Sequence, residues 1–140
     1  MKRRAFIAVL LGLPLTGQAQ TLIEQATKGA PVKRGRVKLE LPLLADNGNS
    51  VPMKVTVESP MSEQDHVKTI RLLSERNPEP QMAVFHLGTR AGVAEVSSRV
   101  RLAGSQRVTA LAEMSDGSFW MDTAEVVVTL SACMDPQEAT

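Results

Sequence analysis

From Arg36 onward, apolar and polar residues alternate one for one in short runs, and this alternation restricts the chain more than any other feature. Val37, Leu39 and Leu41 alternate with Arg36, Lys38 and Glu40, and Met53, Val55 and Val57 with Lys54, Thr56 and Glu58. Val96, Val100 and Leu102 share one face, opposite Glu95, Ser97, Arg99 and Arg101. A period of two puts every second side chain on the same face of a strand. Each run is therefore a strand with one buried and one wet face, the pattern of antiparallel sheets. Turn-forming residues separate the runs. Asp46-Asn47-Gly48-Asn49 lies between the first two strands, and Ser59-Pro60 ends the second. Asn77-Pro78-Glu79-Pro80 divides Val67–Glu75 from Met82–Leu87, and Arg90-Ala91-Gly92 and Ala103-Gly104-Ser105 are short connectors. Asp116-Gly117 is a two-residue hairpin signal, and the last strand is expected from about Ala124 to Leu130. Seven or eight short strands in about 95 residues is sandwich spacing. The fold expected over residues 35–130 is all-β, an immunoglobulin-like antiparallel β-sandwich. With a single cysteine, the Cys…Trp…Cys trio of antibody domains is missing. Ahead of the strands, Gln20 to Gly29 has helical spacing, with Leu22, Ile23 and Ala26 on one side and Gly29 as the stop. Ala30-Pro31 opens a linker, so residues 20–34 read as a helix and linker.

Residues 1–19 have the three parts of an export signal: Lys2-Arg3-Arg4, the apolar run Ala5–Leu13, and small residues at Gly17-Gln18-Ala19. The apolar run is too short to span a bilayer, and no cysteine follows it for lipid attachment. Arg3-Arg4-x-Phe6-Ile7 has the form of a twin-arginine signal, whose cargo is exported folded. The expected location is the periplasm, with mature protein beginning at Gln20. With Lys2, Arg3 and Arg4 removed, 13 of the 16 basic residues face 15 acidic ones, a formal charge of −2. A nucleic-acid binder or membrane-surface protein needs a basic excess, so neither partner is expected. Aromatic content is 3% with no Tyr, so Val, Leu, Ile, Met and Ala must build the core, and stacking platforms for bases or sugars are nearly excluded.

The informative residue for chemistry is Cys133, the only cysteine, which stands three residues beyond Leu130. In an exported protein a lone cysteine pairs with another chain, carries something or stays free. Its neighbours Met134-Asp135-Pro136-Gln137-Glu138 are not core-like, and three extended residues reach about 10 Å at most. A thiol with an ordinary pKa of about 8.5 is only ~3% thiolate at pH 7, and Asp135 and Glu138 would raise that pKa. Such a thiol waits for a partner to activate it. No base is visible nearby in sequence, since His66 lies in the Ser59–Val67 connection and His86 in a strand. Catalytic residues, metal ligands and cofactors are therefore not expected. His66, His86 and the methionines at 53, 61, 82, 114, 121 and 134 could suggest copper, but Met53, Met82 and Met114 fit better as filling in a core poor in aromatics. Phe119-Trp120 reads as a plug at one end of the sandwich. Arg90, Arg99, Arg101 and Arg107 read as solvated strand positions rather than an anion site.

Several stretches stand in a telling order: Asp46-Asn47-Gly48-Asn49-Ser50-Val51-Pro52, Glu58-Ser59-Pro60-Met61, Ser74-Glu75-Arg76-Asn77-Pro78 and Phe85-His86-Leu87. Glu95–Ala103, Ser105-Gln106, Ala112–Trp120 and Val126–Cys133 continue the series. Taken together they resemble the SoxY family, the sulfur carrier of the periplasmic Sox thiosulfate-oxidation system, and the resemblance covers nearly all of residues 27–133. It implies an immunoglobulin-like sandwich, twin-arginine export together with a SoxZ-like partner subunit, and a cysteine on a flexible C-terminal arm, residues 131–140, that maps to Cys133. It further implies that a c-type cytochrome loads the sulfur, a dimanganese hydrolase releases sulfate, and a dehydrogenase oxidises the remaining sulfane. The carrier itself catalyses nothing.

One departure stands out against the resemblance. The family arm ends in Gly-Gly-Cys-Gly-Gly, whereas this chain has Ser131-Ala132-Cys133-Met134-Asp135-Pro136 and four more residues. Glycines carry no side chain to block a narrow channel and turn freely. The second expectation is therefore a SoxY-like interaction module that keeps the sandwich but no longer carries sulfur.

Overall fold

A computed structural model of the chain describes residues 17–129. Among the described residues, one α-helix, α1 (Gly17–Thr27), is followed by nine strands. These are β1 (Val32–Arg34), β2 (Val37–Glu40), β3 (Leu44–Ala45), β4 (Val51–Val57), β5 (Val67–Ser74), β6 (Gln81–His86), β7 (Ala94–Val100), β8 (Gln106–Met114) and β9 (Phe119–Val128). Two sheets pack face to face. One has six strands in the order β1-β9-β8-β5-β6, with β3 also on β9, and the other runs β2-β4-β7. The expected all-β sandwich is the fold found.

The alternation read from the sequence decides which side chains meet between the sheets. Val37 and Leu39, then Val51, Met53, Val55 and Val57, point inward from the smaller sheet. Ile70, Leu72, Val108, Ala110, Ala112, Met114, Val126 and Val128 answer from the larger one. Each buried Val, Leu or Ile contributes roughly 1.5–3 kcal/mol by leaving water. Met53 and Met114 are buried and Met82 packs partly buried against the same core, so these methionines fill it as expected, and Met61 joins them.

The larger sheet has a second apolar face. Ile23 of α1 packs on Leu73, Leu111, Phe119 and Met121, with Leu22 and Ala26 beside it. The helix stops because Lys28 (φ 56°) and Gly29 (φ 84°) both turn left-handed, and the Ala30 amide donates to Thr27 O at 3.0 Å. Glycine adopts that conformation freely, so Gly29 supports the sharper part of the turn.

Four details differ from the sequence expectation. Residues 32–34 are not linker but β1, parallel to β9 with Val32 opposite Phe119. The two-residue β3 is also parallel to β9, with Leu44 opposite Val127, so the sheet is not wholly antiparallel. Both are too short to show a period, and β9 recruits them by offering its free edge. Third, β9 starts at Phe119 rather than Ala124, because Asp122 interrupts the apolar alternation. Its carboxylate accepts the Leu39 amide at 2.9 Å across the sandwich, which lets a charged residue hold an inward position. Finally, the Asp116-Gly117 turn closes a longer loop. The Gly117 amide donates to Met114 O at 3.0 Å and the Met114 amide to Ser118 O at 2.9 Å. Gly117 has φ 88°, as in a three-residue hairpin loop with a glycine bulge.

Candidate functional site

Residues 1–16 of the expected leader and Cys133, the expected site residue, lie outside the described residues. What the structure gives is the root from which the C-terminal segment departs. Strand β9 runs from the hairpin at Ser115–Ser118 to the opposite end of the sandwich, where its last bonds are tightly shared. The Val127 amide donates to Leu43 O at 2.9 Å, the Val128 amide to Ser105 Oγ at 2.8 Å, and the Thr129 amide to Ala45 O at 3.1 Å. Thr129 Oγ1 donates to Asp46 O at 2.8 Å. Two separate stretches of chain, Leu43–Asp46 and Ser105, therefore hold the last three described residues in place.

Beneath this root lies a cluster of buried polar side chains. Ser74, Asn77 and Gln106 are all buried. Ser74 Oγ donates to Gln106 Oε1 and accepts the amides of Arg76 (3.1 Å) and Asn77 (2.8 Å). Gln106 Nε2 donates to Asn77 Oδ1 and to Gly104 O, both at 3.1 Å. Asn77 Oδ1 also accepts the Ala103 amide at 2.8 Å, and Asn77 Nδ2 donates to Arg101 O at 2.7 Å. Arg76 completes the group by donating to Ser105 O at 3.0 Å. Each polar atom is paired, which removes the cost of taking it out of water and fixes the two loops relative to one another. Ser105 then links this network directly to Val128.

Neither histidine comes near the root. His66 sits beside the hairpin: its amide donates to Ser115 Oγ at 3.1 Å, and its ring Nδ1 donates to Ser62 O at 2.9 Å. His86 pairs with Thr69 at the same end. The ten residues of β9 separate that end from Thr129, on the order of 30 Å at ~3.3 Å per residue. Cys133 follows Thr129 by four residues, a reach of at most about 14 Å. A His-activated thiol, left open by the sequence, is thereby ruled out on distance.

The other residues weighed in the sequence are also accounted for. Trp120 lies between two cations, Lys33 Nζ at 5.4 Å and Arg36 Cζ at 5.5 Å from its ring centre, while Phe119 is buried under α1. The pair starts β9 and carries no site. Arg99 donates to Ser50 Oγ at 3.2 Å and Arg107 pairs with Glu125 at 3.2 Å, on different sheets. Among the described residues, no group of three or more His, Cys, Asp or Glu is placed to hold a metal ion. No helix among them is long and apolar enough to cross a membrane. The Asp116 carboxylate accepts hydrogen bonds from the Ser118 hydroxyl (2.6 Å) and amide (2.9 Å), which hold its pKa below the ordinary 3.8.

The sequence model described as "Sulfur oxidation protein SoxY" matches residues 23–133, from Ile23 of α1 to Cys133 itself. The chain belongs to the SoxY family. Membership gives this SoxY-family chain a role in the Sox sulfur-oxidation system. The match takes in the buried Ser74–Asn77–Gln106 network and ends on the cysteine, leaving residues 134–140 outside it. No curated protein matches the sequence. Solved structures share the sandwich at low identity. The superoxide reductase (neelaredoxin) from Ignicoccus hospitalis superposes with a TM-score of 0.59 at 16% identity, over 67% of this chain and 80% of its own. The putative superoxide reductase from Thermotoga maritima gives 0.59 at 17%, over 69% and 93%. That from Nanoarchaeum equitans gives 0.57 at 12%, over 69% and 100%. At these identities the likeness concerns the fold alone.

Proposed function

We propose that this SoxY-family chain is a periplasmic sulfur carrier that holds thiosulfate-derived groups covalently on Cys133 and works beside a SoxZ-like subunit. The observation that supports it best is the family match running through to Cys133, four residues beyond a root braced by two separate stretches of chain. A carrier needs a fixed base and a reactive end within reach of visiting enzymes, and the reach of at most about 14 Å makes the surface around Thr129 the place of contact.

The chemistry balances without any catalytic group on this chain. The Cys133 thiolate and thiosulfate lose two electrons to a c-type cytochrome, and a new S–S bond forms between Sγ and the outer sulfur of thiosulfate. Water then attacks the sulfonate sulfur at a dimanganese hydrolase. The S–S bond to the sulfonate breaks, sulfate leaves, and a persulfide remains on Cys133. A dehydrogenase oxidises that sulfane sulfur to a sulfonate, with water supplying three oxygens and six electrons passing to a c-type cytochrome, and a second hydrolysis breaks the bond to Sγ, releases sulfate and returns the Cys133 thiol. The role of this chain is to hold and present, so it is not an enzyme. Export follows the twin-arginine route, and Arg3→Lys with Arg4→Lys traps precursor in the cytoplasm.

Intact-mass spectrometry of protein from thiosulfate-oxidising cells tests the reading. A reducible mass increase located at Cys133 is expected, and Cys133→Ser abolishes it while folding stays intact. If the native protein never carries an adduct under these conditions, the carrier reading fails. The second reading, an interaction module without cargo, is favoured by the bulky Met134-Asp135-Pro136 after the cysteine.

A further inference from the structure

A sheet edge leaves N–H and C=O groups unpaired, and the edges of this sandwich differ in how they are guarded. β1, β2 and β3 have three, four and two residues, and the β5–β6 register shifts at Leu72/Leu73. β7 has neither protection. Its seven residues pair with β4 in unbroken register, and it contains no proline and no lysine. Among the described residues, no strand pairs with its other side.

The register shows which residues face that open side. Pro52 stands opposite Arg99 and has no N–H, so these two cannot exchange the pair of bonds that a hydrogen-bonded position requires. Alternation along the ladder then assigns the bonded positions to Ala94, Val96, Ser98 and Val100. The N–H and C=O of Glu95, Ser97 and Arg99 therefore turn to the free edge. Arg101, two residues on, fits the same parity: its carbonyl is turned away from β4 and accepts Asn77 Nδ2 at 2.7 Å.

Glu95-Val96-Ser97-Ser98-Arg99 is self-complementary about Ser97. Antiparallel pairing of this edge with its own copy, on a two-fold axis through Ser97, sets Glu95 of each copy opposite Arg99 of the other. Two charges of one sign at these positions would repel on self-pairing and guard the edge, whereas opposite signs attract. In the single chain, Glu95 pairs with Lys54 at 3.6 Å and Arg99 donates to Ser50 Oγ at 3.2 Å. Both contacts are exposed, and such contacts cost little to share. The same register brings Val93, which is 69% exposed, against the aliphatic stem of Arg101 in the second copy.

We propose that β7 is the surface on which two copies of this chain pair, antiparallel about Ser97, so that the smaller sheet runs unbroken from one copy into the other. The pairing uses no residue of the C-terminal segment, so it holds or fails independently of the carrier reading.

The experiment is sedimentation velocity on the mature chain, from about 1 μM to about 1 mM, the range in which small interfaces dissociate. Reductant is present throughout, so that no disulfide between two Cys133 residues holds copies together. A reversible dimer is expected. Ser97→Pro removes an N–H that faces solvent in the single chain, and should abolish the dimer while the urea unfolding curve stays in place. Arg99→Glu and Glu95→Arg, each alone, set like charges opposite one another and should weaken self-association about tenfold or more. Mixed in equal amounts, these two variants should associate as tightly as the unchanged chain, since each offers the other its opposite charge. That mixture decides the question if Ser97→Pro fails to fold. A monomer throughout the range overturns the proposal. So does a dimer that survives in folded Ser97→Pro, and so does a mixture no tighter than its separate components. Binding of a SoxZ-like subunit that is lost with Arg99→Glu also overturns it, because the edge would then belong to that partner.

Discussion

The two ends of this sandwich are built differently. At the hairpin end, Asp116, Ser118, Ser115 and His66 make mostly local or exposed contacts. At the end from which β9 departs, Ser74, Asn77 and Gln106 are buried and join loops distant in sequence. A hairpin end needs only to close, and a turn with one glycine does that. An end that must hold a departing segment needs its loops fixed to one another, and buried hydrogen bonds with every partner satisfied do so. The difference teaches that the position of a function can be marked by its scaffold even when the reactive residue lies beyond it.

Four expectations follow for that contrast, beginning with the largest. Asn77→Ala leaves the Ala103 amide, Arg101 O and Gln106 Nε2 without their partner, and should cost about 3 kcal/mol in urea unfolding, given ~1–3 kcal/mol for each buried group left unpaired. The same variant should speed hydrogen exchange at the Val128 and Thr129 amides. If exchange there is unchanged, the network does not brace the root. Gln106→Leu keeps the volume but removes the bonds to Ser74, Asn77 and Gly104, and about 2 kcal/mol is expected. Gly117→Ala at the opposite end forces a side chain into φ 88° and should cost only about 1 kcal/mol, with Val128 and Thr129 unaffected. A loss equal to that of Asn77→Ala would erase the contrast. The smallest effect is at Asp116. Its folded pKa lies below the ordinary 3.8, so the unfolded chain binds the proton more readily. The stabilisation is present above pH 3.8 and disappears as pH falls through the folded value. Asp116→Asn should flatten that acid limb in urea melts between pH 2 and 5, and an unchanged limb would assign the dependence to other carboxylates.

Much of the sandwich was legible because alternation is a local record of burial. Val51–Val57 and Val67–Ser74 are found almost where the apolar runs placed them. Where the record was too short, or interrupted, it could not be read. β1 and β3 have three and two residues and owe their pairing to the edge of β9, while Asp122 hid the first half of β9 by taking an inward place next to the Leu39 amide. The buried network was legible only in part. Ser74, Asn77 and Gln106 stood in the stretches that carried the family resemblance, but Ser74 read as part of the strand run Val67–Glu75, Asn77 as a turn former, and Gln106 drew no reading of its own. Their burial depends on two loops distant in sequence meeting at one end, which no spacing along the chain records. The reach of the C-terminal segment and the distance of both histidines likewise became readable once β9 had a direction.

The parallel pairing of β3 with β9 also has a mechanical consequence. A load on the chain beyond Thr129, directed along β9, meets bonds from Leu43, Ala45, Asp46 and Ser105 and then the whole length of the β8–β9 ladder. These bonds lie across the pull and are loaded together, in shear, rather than opened one after another as at a peeling edge. A tail dragged out of a tight channel would return its tension to the sheet without fraying the last strand.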